Sequence, residues 1–401
     1  MPPYLWNLLA IPEDPNPLAQ MDPKVKRRRT LDSITRIILR ESLEHALVII
    51  FEDLHWIDSE TQALLDALAD SLANSRVLLL VNYRPEYRHE WTSKSYYSQL
   101  RLAALGRESA GEMLSALLGD GVELDPLKQL IIERTEGNPF FIEEMVQALF
   151  EDGALVRNGA VKVARSLSQL RLPPTVQGIL ASRIDRQSPE QKDMLQTLAV
   201  IGRESPLSLI RQVICQPEAQ LTSILAALQA GEFIYQQPTL TDVEYVFKHA
   251  LTQQVAYNSL LLERRRALHE RIAQALEALF VESVDEHLVD LSYHYGCSGN
   301  SSRAIDYLIR AAEQAEQRSA YSQAAAYFQQ ALTRLNEKPA GPERDRKEIA
   351  IHRGLGDSAI VMSGYAAPEH EHPRALRVPL VIMLVVIEVP RRRSNALFSS
   401  S

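Results

Sequence analysis

The stretch that most constrains this chain is LVIIFEDLHWIDSET, from Leu47 to Thr61. Five apolar residues, Leu47 to Phe51, rich in β-branched types, run unbroken into Glu52 and Asp53. A continuous apolar run is the pattern of a strand buried in a parallel sheet; a half-exposed strand alternates instead. Asp58 stands at an N-cap position, ahead of Ala63, Leu64, Ala67, Leu68 and Leu72 at helical spacing. The stretch therefore predicts strand, acidic pair, helix. It places two carboxylates at the carboxyl end of a sheet, where open α/β folds bind ligands.

The residues alone leave two readings of that pair open. Strand, acids and helix form the layout of a Walker B segment, in which a carboxylate holds the Mg²⁺ of a nucleoside triphosphate. They are also the layout of an ordinary βα unit with two solvated acids at a strand end. A second buried-strand pattern, Arg76 to Asn82, follows the helix and is stopped by Pro85. Arg84 then falls at the same carboxyl edge if the strands are neighbours. Its forked guanidinium can reach a phosphate or pair with Asp53 or Asp58.

Composition narrows the function classes. The chain has 401 residues, enough for two to four domains, and 23% charged and 46% hydrophobic content, ordinary for a globular protein. A formal net charge of -8 argues against a dedicated nucleic-acid binder. Cys215 and Cys297 give neither a disulfide framework nor metal-ligand spacing, which fits a reducing cytosol. Residues 1–20 contain five prolines and two acids and no secretory pattern. The longest apolar run, Val378 to Ile387, has 10 residues, against the roughly 20 that a spanning helix needs. A cytoplasmic protein without a membrane segment is expected.

Along the chain, residues 1–23 are punctuated by prolines. Lys24, Lys26, Arg27, Arg28 and Arg29 then open a helical segment, Leu31 to Leu43. Such a run can meet phosphate or simply form a solvated helix face. Glu108–Leu118 and Pro126–Arg134 read as short helices. In the turn EGNPFF, Gly137 ends one helix, Asn138 caps the next and Pro139 occupies its first position. That is a sufficient turn, and it can also place Pro139 and a helix N-terminus against a nucleotide. Residues 153–174 read as an irregular hairpin. Thr175–Arg186, Pro189–Ile201, Ser208–Cys215 and Glu218–Gln229 read as helices, and Gly231–Tyr235 with Val243–Phe247 as a two-stranded wing. The helix from Glu218 has no Lys or Arg to meet phosphates, so this winged-helix pattern reads as a packing module. Two linked helices follow, with Arg264, Arg265 and Arg266 as a solvated cluster. From Val284 to Leu335 the chain is helical and rich in Ala and Tyr. Tyr321, Ala325, Tyr327, Phe328 and Ala331 match one tetratricopeptide unit. From about Pro368 periodicity is lost, and this apolar tail is expected not to pack into the fold.

In combination these pieces resemble bacterial ATPases of the STAND branch of AAA+-like P-loop NTPases. In many members a class III nucleotide cyclase or a protein kinase precedes the ATPase and tetratricopeptide repeats follow it. The resemblance is carried by EDLHW at Glu52–Trp56 with Asp58, NYRPE at Asn82–Glu86 and GNPFF at Gly137–Phe141. FKHAL at Phe247–Leu251 and RRRALHERIA at Arg264–Ala273 add to it. It implies ATP or ADP with Mg²⁺ as cofactor. Glu52 would stand at the magnesium-carboxylate position and Asp53 would orient the attacking water, the two roles being exchangeable. Arg84 would be the sensor on the following strand, and Pro139, beside Asn138, the adenine-side proline of the lid. His249 would contact the β-phosphate of ADP, or be a satisfied core histidine.

The departure from that pattern is equally specific. A P-loop needs glycines so that backbone N–H groups can cradle phosphates. Residues 1–105 contain no glycine, and no GxxxxGK[ST] stretch occurs anywhere in the chain. The expected architecture is mixed and mostly α. Residues 1–105 would be a partial P-loop core, 106–174 a helical lid, 175–262 a winged helix, 263–367 a tetratricopeptide-like region and 368–401 a tail. The chain is expected to be a fragment of a nucleotide-switched signalling ATPase that regulates an attached cyclase or kinase. Its repeats would bind a protein partner. The alternatives are a helical scaffold with a vestigial core and a transcription activator using the winged helix.

Overall fold

The computed structural model describes residues 2–9, 11, 18, 21–165, 173–239 and 242–363. The expectation for the tail after Pro368 lies outside these residues. The chain divides into two compact units, residues 1–99 with 301–401, and residues 100–300. The fold is mostly helical with a few short strands.

In the first unit, α1 (Pro2–Leu8) and α2 (Pro23–Glu44) lead to β1 (Leu47–Phe51), α3 (Ser59–Ser71) and β2 (Val77–Val81). The basic run lies inside α2, which starts a full two turns before the expected segment. Arg27, Arg28 and Arg29 are exposed there, and Arg27 pairs with Glu60 of α3 at 2.6 Å. Strands β1 and β2 are parallel and in register from Leu47↔Val77 to Phe51↔Val81. Ile49 and Phe51 are buried in a core with Leu65 and Leu68 of α3 and, partly, Ile38 of α2, and Leu47 is buried as well.

The run was expected to be buried on both faces, and only this face is covered. Leu78 and Leu80, which pair with Val48 and Ile50 on the other face, remain 60% and 53% exposed. An apolar run reports where side chains can be buried; what covers them depends on the rest of the sheet. The same unit holds α14 (Ser301–Gln317), α15 (Tyr321–Asn336) and α16 (Pro342–Ser363), packed in sequence order. Small buried residues such as Ala304, Ala311 and Ala324 let these helices approach, with Tyr327 and Phe328 filling between them. Gly354 lets the Phe328 ring approach closely: a Cβ on it would lie 2.2 Å from that ring, which would have to shift.

The second unit opens with α4 (Arg107–Leu118), α5 (Asp125–Thr135) and α6 (Pro139–Glu151), and the antiparallel hairpin β3 (Leu155–Asn158) and β4 (Ala160–Val163). They share a core that includes Leu114, Ile131, Ile142 and Met145. Next come α7 (Val176–Asp185), α8 (Pro189–Ile201), β5 (Glu204–Pro206), α9 (Leu207–Ile214), α10 (Glu218–Ala230), β6 (Ile234–Pro238), β7 (Val243–Phe247) and α11 (Ala250–Asn258). Here the sheet has three strands, ordered β5-β7-β6, where two were expected. β5 is only three residues and ends in proline, so it carries no alternation to read. β6 begins three residues later than expected, because Gly231 caps α10 and Glu232 turns the chain with φ 57°.

The unit closes with α12 (Leu262–Leu279) and α13 (Leu288–Ser298). Between them His269 and His294 face each other Nδ1 to Nδ1 at 2.9 Å, both buried, while Tyr257 Oη lies 3.0 Å from His269 Nε2. Such a bond needs one ring to donate and the other to accept, and burial favours the neutral form of both. Burial holds His269 down to about 4 and His294 to about 3.

Candidate functional site

The acidic end of the first unit is built by the backbone. Beyond Phe51 the chain turns sharply: Asp53 has φ 56° and ψ 43°, the left-handed region that costs a non-glycine residue roughly 1 kcal/mol or more. Asn82, the first residue past β2, holds that turn. Its Oδ1 accepts the Asp53 N–H at 2.7 Å, its carbonyl accepts the Leu54 N–H at 3.0 Å, and its own N–H donates to the Phe51 carbonyl at 3.1 Å. Asp58 then caps α3. One oxygen accepts the N–H groups of Glu60 and Thr61 at 2.8 and 3.1 Å, and the other accepts the Thr61 hydroxyl at 2.7 Å. Glu52, Asp53 and Arg84 are all exposed at the carboxyl edge of the two parallel strands. Arg84 makes no ion pair among the described residues, with Asp53 and Asp58 included. His55, in the turn after Asp53, has both ring nitrogens buried without a hydrogen-bond partner among the described residues, and its ring meets Trp56 edge to face.

Sequence reasoning missed two features here. In the sequence Asn82 reads as the end of a strand and the start of NYRPE, and its bond to Asp53 joins residues 29 apart. The second is an aromatic cluster on the segment after β2. His89 Nδ1 accepts the Trp91 N–H at 3.2 Å, which leaves the hydrogen of the neutral ring on Nε2, 3.0 Å from Tyr83 Oη. Burial lowers the His89 pKa, and burial together with Tyr83 pushes Tyr97 up to about 12. Trp91 Nε1 donates to Asp66 of α3 at 2.8 Å, so the cluster ties the Arg84 loop to that helix.

The second group of expected residues lies in the 100–300 unit. Gly137, at φ 75°, packs against residue 105 so tightly that a Cβ would sit 2.1 Å from the Leu105 carbonyl. The Leu105 N–H returns a bond to the Gly137 carbonyl at 2.8 Å. Asn138 Oδ1 accepts the Phe141 N–H at 3.1 Å and Pro139 is the first residue of α6. His249 precedes α11, and its ring lies 3.9 Å, centroid to centroid, from that of Phe140. The GNPFF turn and the FKHAL segment therefore meet. His249 Nε2 is buried without a hydrogen-bond partner among the described residues, and burial, with Lys248 nearby, lowers its pKa.

An uncharacterized protein of Rhizobium meliloti (strain 1021) is 26% identical over 350 residues. That match takes in 86% of this chain and 33% of the relative, so the chain spans about a third of the curated relative's length. A crystal structure of a Signal Transduction ATPase with Numerous Domains (STAND) protein with a tetratricopeptide repeat sensor, from Pyrococcus horikoshii, is similar over 84% of this chain and 49% of that one. Its sequence identity is 14% and its TM-score 0.46. No family model matches.

The residues present fit an implied Mg²⁺ in part. A protein commonly gives Mg²⁺ one or two carboxylates and leaves the other positions to water and phosphate, and Glu52 and Asp53 are two such groups. No group of three or more His, Cys, Asp or Glu suited to a metal occurs among the described residues. A triphosphate fits less well, since the glycine-free first 105 residues offer no backbone cradle. No helix among the described residues is long and apolar enough to cross a membrane.

Proposed function

We propose that these residues are the Walker B and sensor part of an ATP/ADP-switched STAND-type signalling ATPase, with its lid, winged helix and the start of a repeat region. The observation that carries the reading is the parallel pairing that ends at Phe51↔Val81, with Asn82 pinning Asp53. Glu52, Asp53 and Arg84 are exposed at the carboxyl edge of these two strands, and such edges are where open α/β sheets bind ligands, which supports the reading. Glu52 and Asp53 would hold Mg²⁺, directly or through water, and Arg84 would read the terminal phosphate. On the other unit, Pro139 with Asn138 would lie on the adenine side and His249 Nε2 would meet a phosphate oxygen. The map is the one expected from sequence: core to 105, lid 106–174, winged helix 175–262, tetratricopeptide-like helices 263–367. The phosphate cradle would come from polypeptide outside these residues, and so would the cyclase or kinase effector. The helices α14 to α16 would present a face to a protein partner, and the protein would work in the cytoplasm.

A polypeptide extended upstream through its own coding sequence tests this. It should bind Mg-ATP, and Asp53→Asn should slow hydrolysis while sparing binding. Equal hydrolysis by the parent and Asp53→Asn would remove Asp53 from the chemistry. The transcription-activator reading is disfavoured by α10, which spends Leu221, Leu225 and Leu228 on the core and has no basic residue. The scaffold reading is favoured by the glycine-free start for this chain taken alone, and it predicts no nucleotide binding after extension.

A further inference from the structure

Two hydrophobic cores of the 100–300 unit meet in one helix. Ile179 of α7 belongs to the core of α4 to α6, and Ile184, little more than a turn later, to the core of α8 to α11. Between them sits Arg183, 1% exposed, where an apolar residue would be the ordinary choice. Its Nε and Nη2 donate to Glu151 Oε1 at 2.9 and 2.7 Å, and Nη1 donates to Glu144; both carboxylates belong to α6. Nη2 also donates to the Gly231 carbonyl at 2.7 Å, and the guanidinium lies 4.7 Å from the Phe233 ring centre. Gly231 and Phe233 form the turn from α10 into β6. One side chain thus grips the helical bundle with one edge and the sheet module with the other.

The seam around this grip is not sealed by apolar packing. A cleft of about 530 Å³ opens along it, lined from α6 by Glu143, Glu144 and Phe150 and from the sheet module by Glu232 and Lys248. Lys248 pairs with Glu232 at 2.6 Å at its mouth. A buried ion pair adds little net stability relative to apolar residues of the same volume, because desolvation offsets the attraction. What it adds is a discrete geometry: a forked donor either meets all its acceptors or leaves buried charge unpaired.

We propose that α7 is a hinge and Arg183 its latch, holding the α4–α6 bundle and the β5–β7 module closed along the cleft. This deepens the proposed switch by naming the joint that would move, and its test contains no nucleotide, so either reading can fail alone. The measurement is pulsed dipolar electron resonance on the full chain. Cys215 and Cys297 are replaced by serine, and spin labels are placed at Glu123 and Gln212, both exposed and on opposite sides of the seam. The parent should give one narrow distance. Arg183→Met should add a longer distance, with roughly tenfold more open molecules than the parent. Glu144→Gln with Glu151→Gln, which keeps the arginine but weakens its acceptors, should shift the population the same way by less. If Arg183→Met does not fold, the glutamine pair decides alone. A single unchanged distance in either folded variant would show that the two parts are one rigid body and would overturn the latch.

Discussion

The two charged constellations of this molecule are opposites. Glu52, Asp53 and Arg84 are exposed, and at Asp53 the backbone is bent into a left-handed turn held by Asn82. Arg183, Glu144 and Glu151 are buried or nearly so and are bonded to one another. The first arrangement spends conformational energy to present charge to solvent; the second satisfies charge internally and presents none. A strained turn that carries exposed charge at an edge points outward to a ligand, whereas a buried, mutually bonded network points inward to architecture or its motion.

The contrast sets the order of expected effects. Removing the buried cation should cost most. Arg183→Ala leaves Glu144 and Glu151 without their partner, and urea denaturation should show a loss of about 3–5 kcal/mol. A loss of less than about 1 kcal/mol would mean that water replaces the guanidinium at little cost.

Acid should come next, through the buried histidine pair. Folded pKa values of about 4 and about 3 lie below the ordinary 6.5, so the unfolded chain binds more protons in that window. Stability is then full above pH 6.5 and falls as pH drops toward 4 and below, by on the order of a few kcal/mol. The positive charge of Arg265 lowers the His269 pKa further. Urea midpoints measured from pH 7.5 to 4 check this, and His294→Phe should flatten the slope. An unchanged slope would place the titration elsewhere.

A smaller loss is expected at the GNP turn. Gly137→Ala meets both a positive φ and the Leu105 carbonyl, and should cost about 2 kcal/mol or more. Asn138→Ala, losing only a cap, should cost about 1 kcal/mol. Equal losses would show that the turn yields around the added methyl. Least of all, Glu52→Gln and Arg84→Ala should leave the urea midpoint where it was, because neither side chain packs. A clear shift would move them from the ligand edge into the structure.

What was legible in the sequence follows the same division. β1, α3, β2, the Asp58 cap and the Gly137-Asn138-Pro139 turn rest on residues within a few positions of one another, and pattern reading found them. The partners of Arg183 lie 32, 39 and 48 residues away, and nothing local marks them. His269 and His294 are 25 apart on two helices, each an unremarked polar residue in its own stretch. Asn82 was visible as a strand end but not as the acceptor for Asp53. β5 was missed because three residues ending in proline have no period. The open face of β1–β2 was misjudged because the composition of a strand does not say what lies above it.

Titration calorimetry of Mg-ATP into the 401-residue chain tests the central claim most directly. The proposal is that Glu52, Asp53 and Arg84 would form the magnesium and sensor edge of a nucleotide site whose phosphate cradle is not among these residues. Without the charge-assisted bonds of a cradle, at roughly 1.5–3 kcal/mol each, affinity should be no better than about millimolar and no hydrolysis should be seen. Micromolar Mg-ATP binding by this chain, lost on Arg84→Ala, would contradict the account.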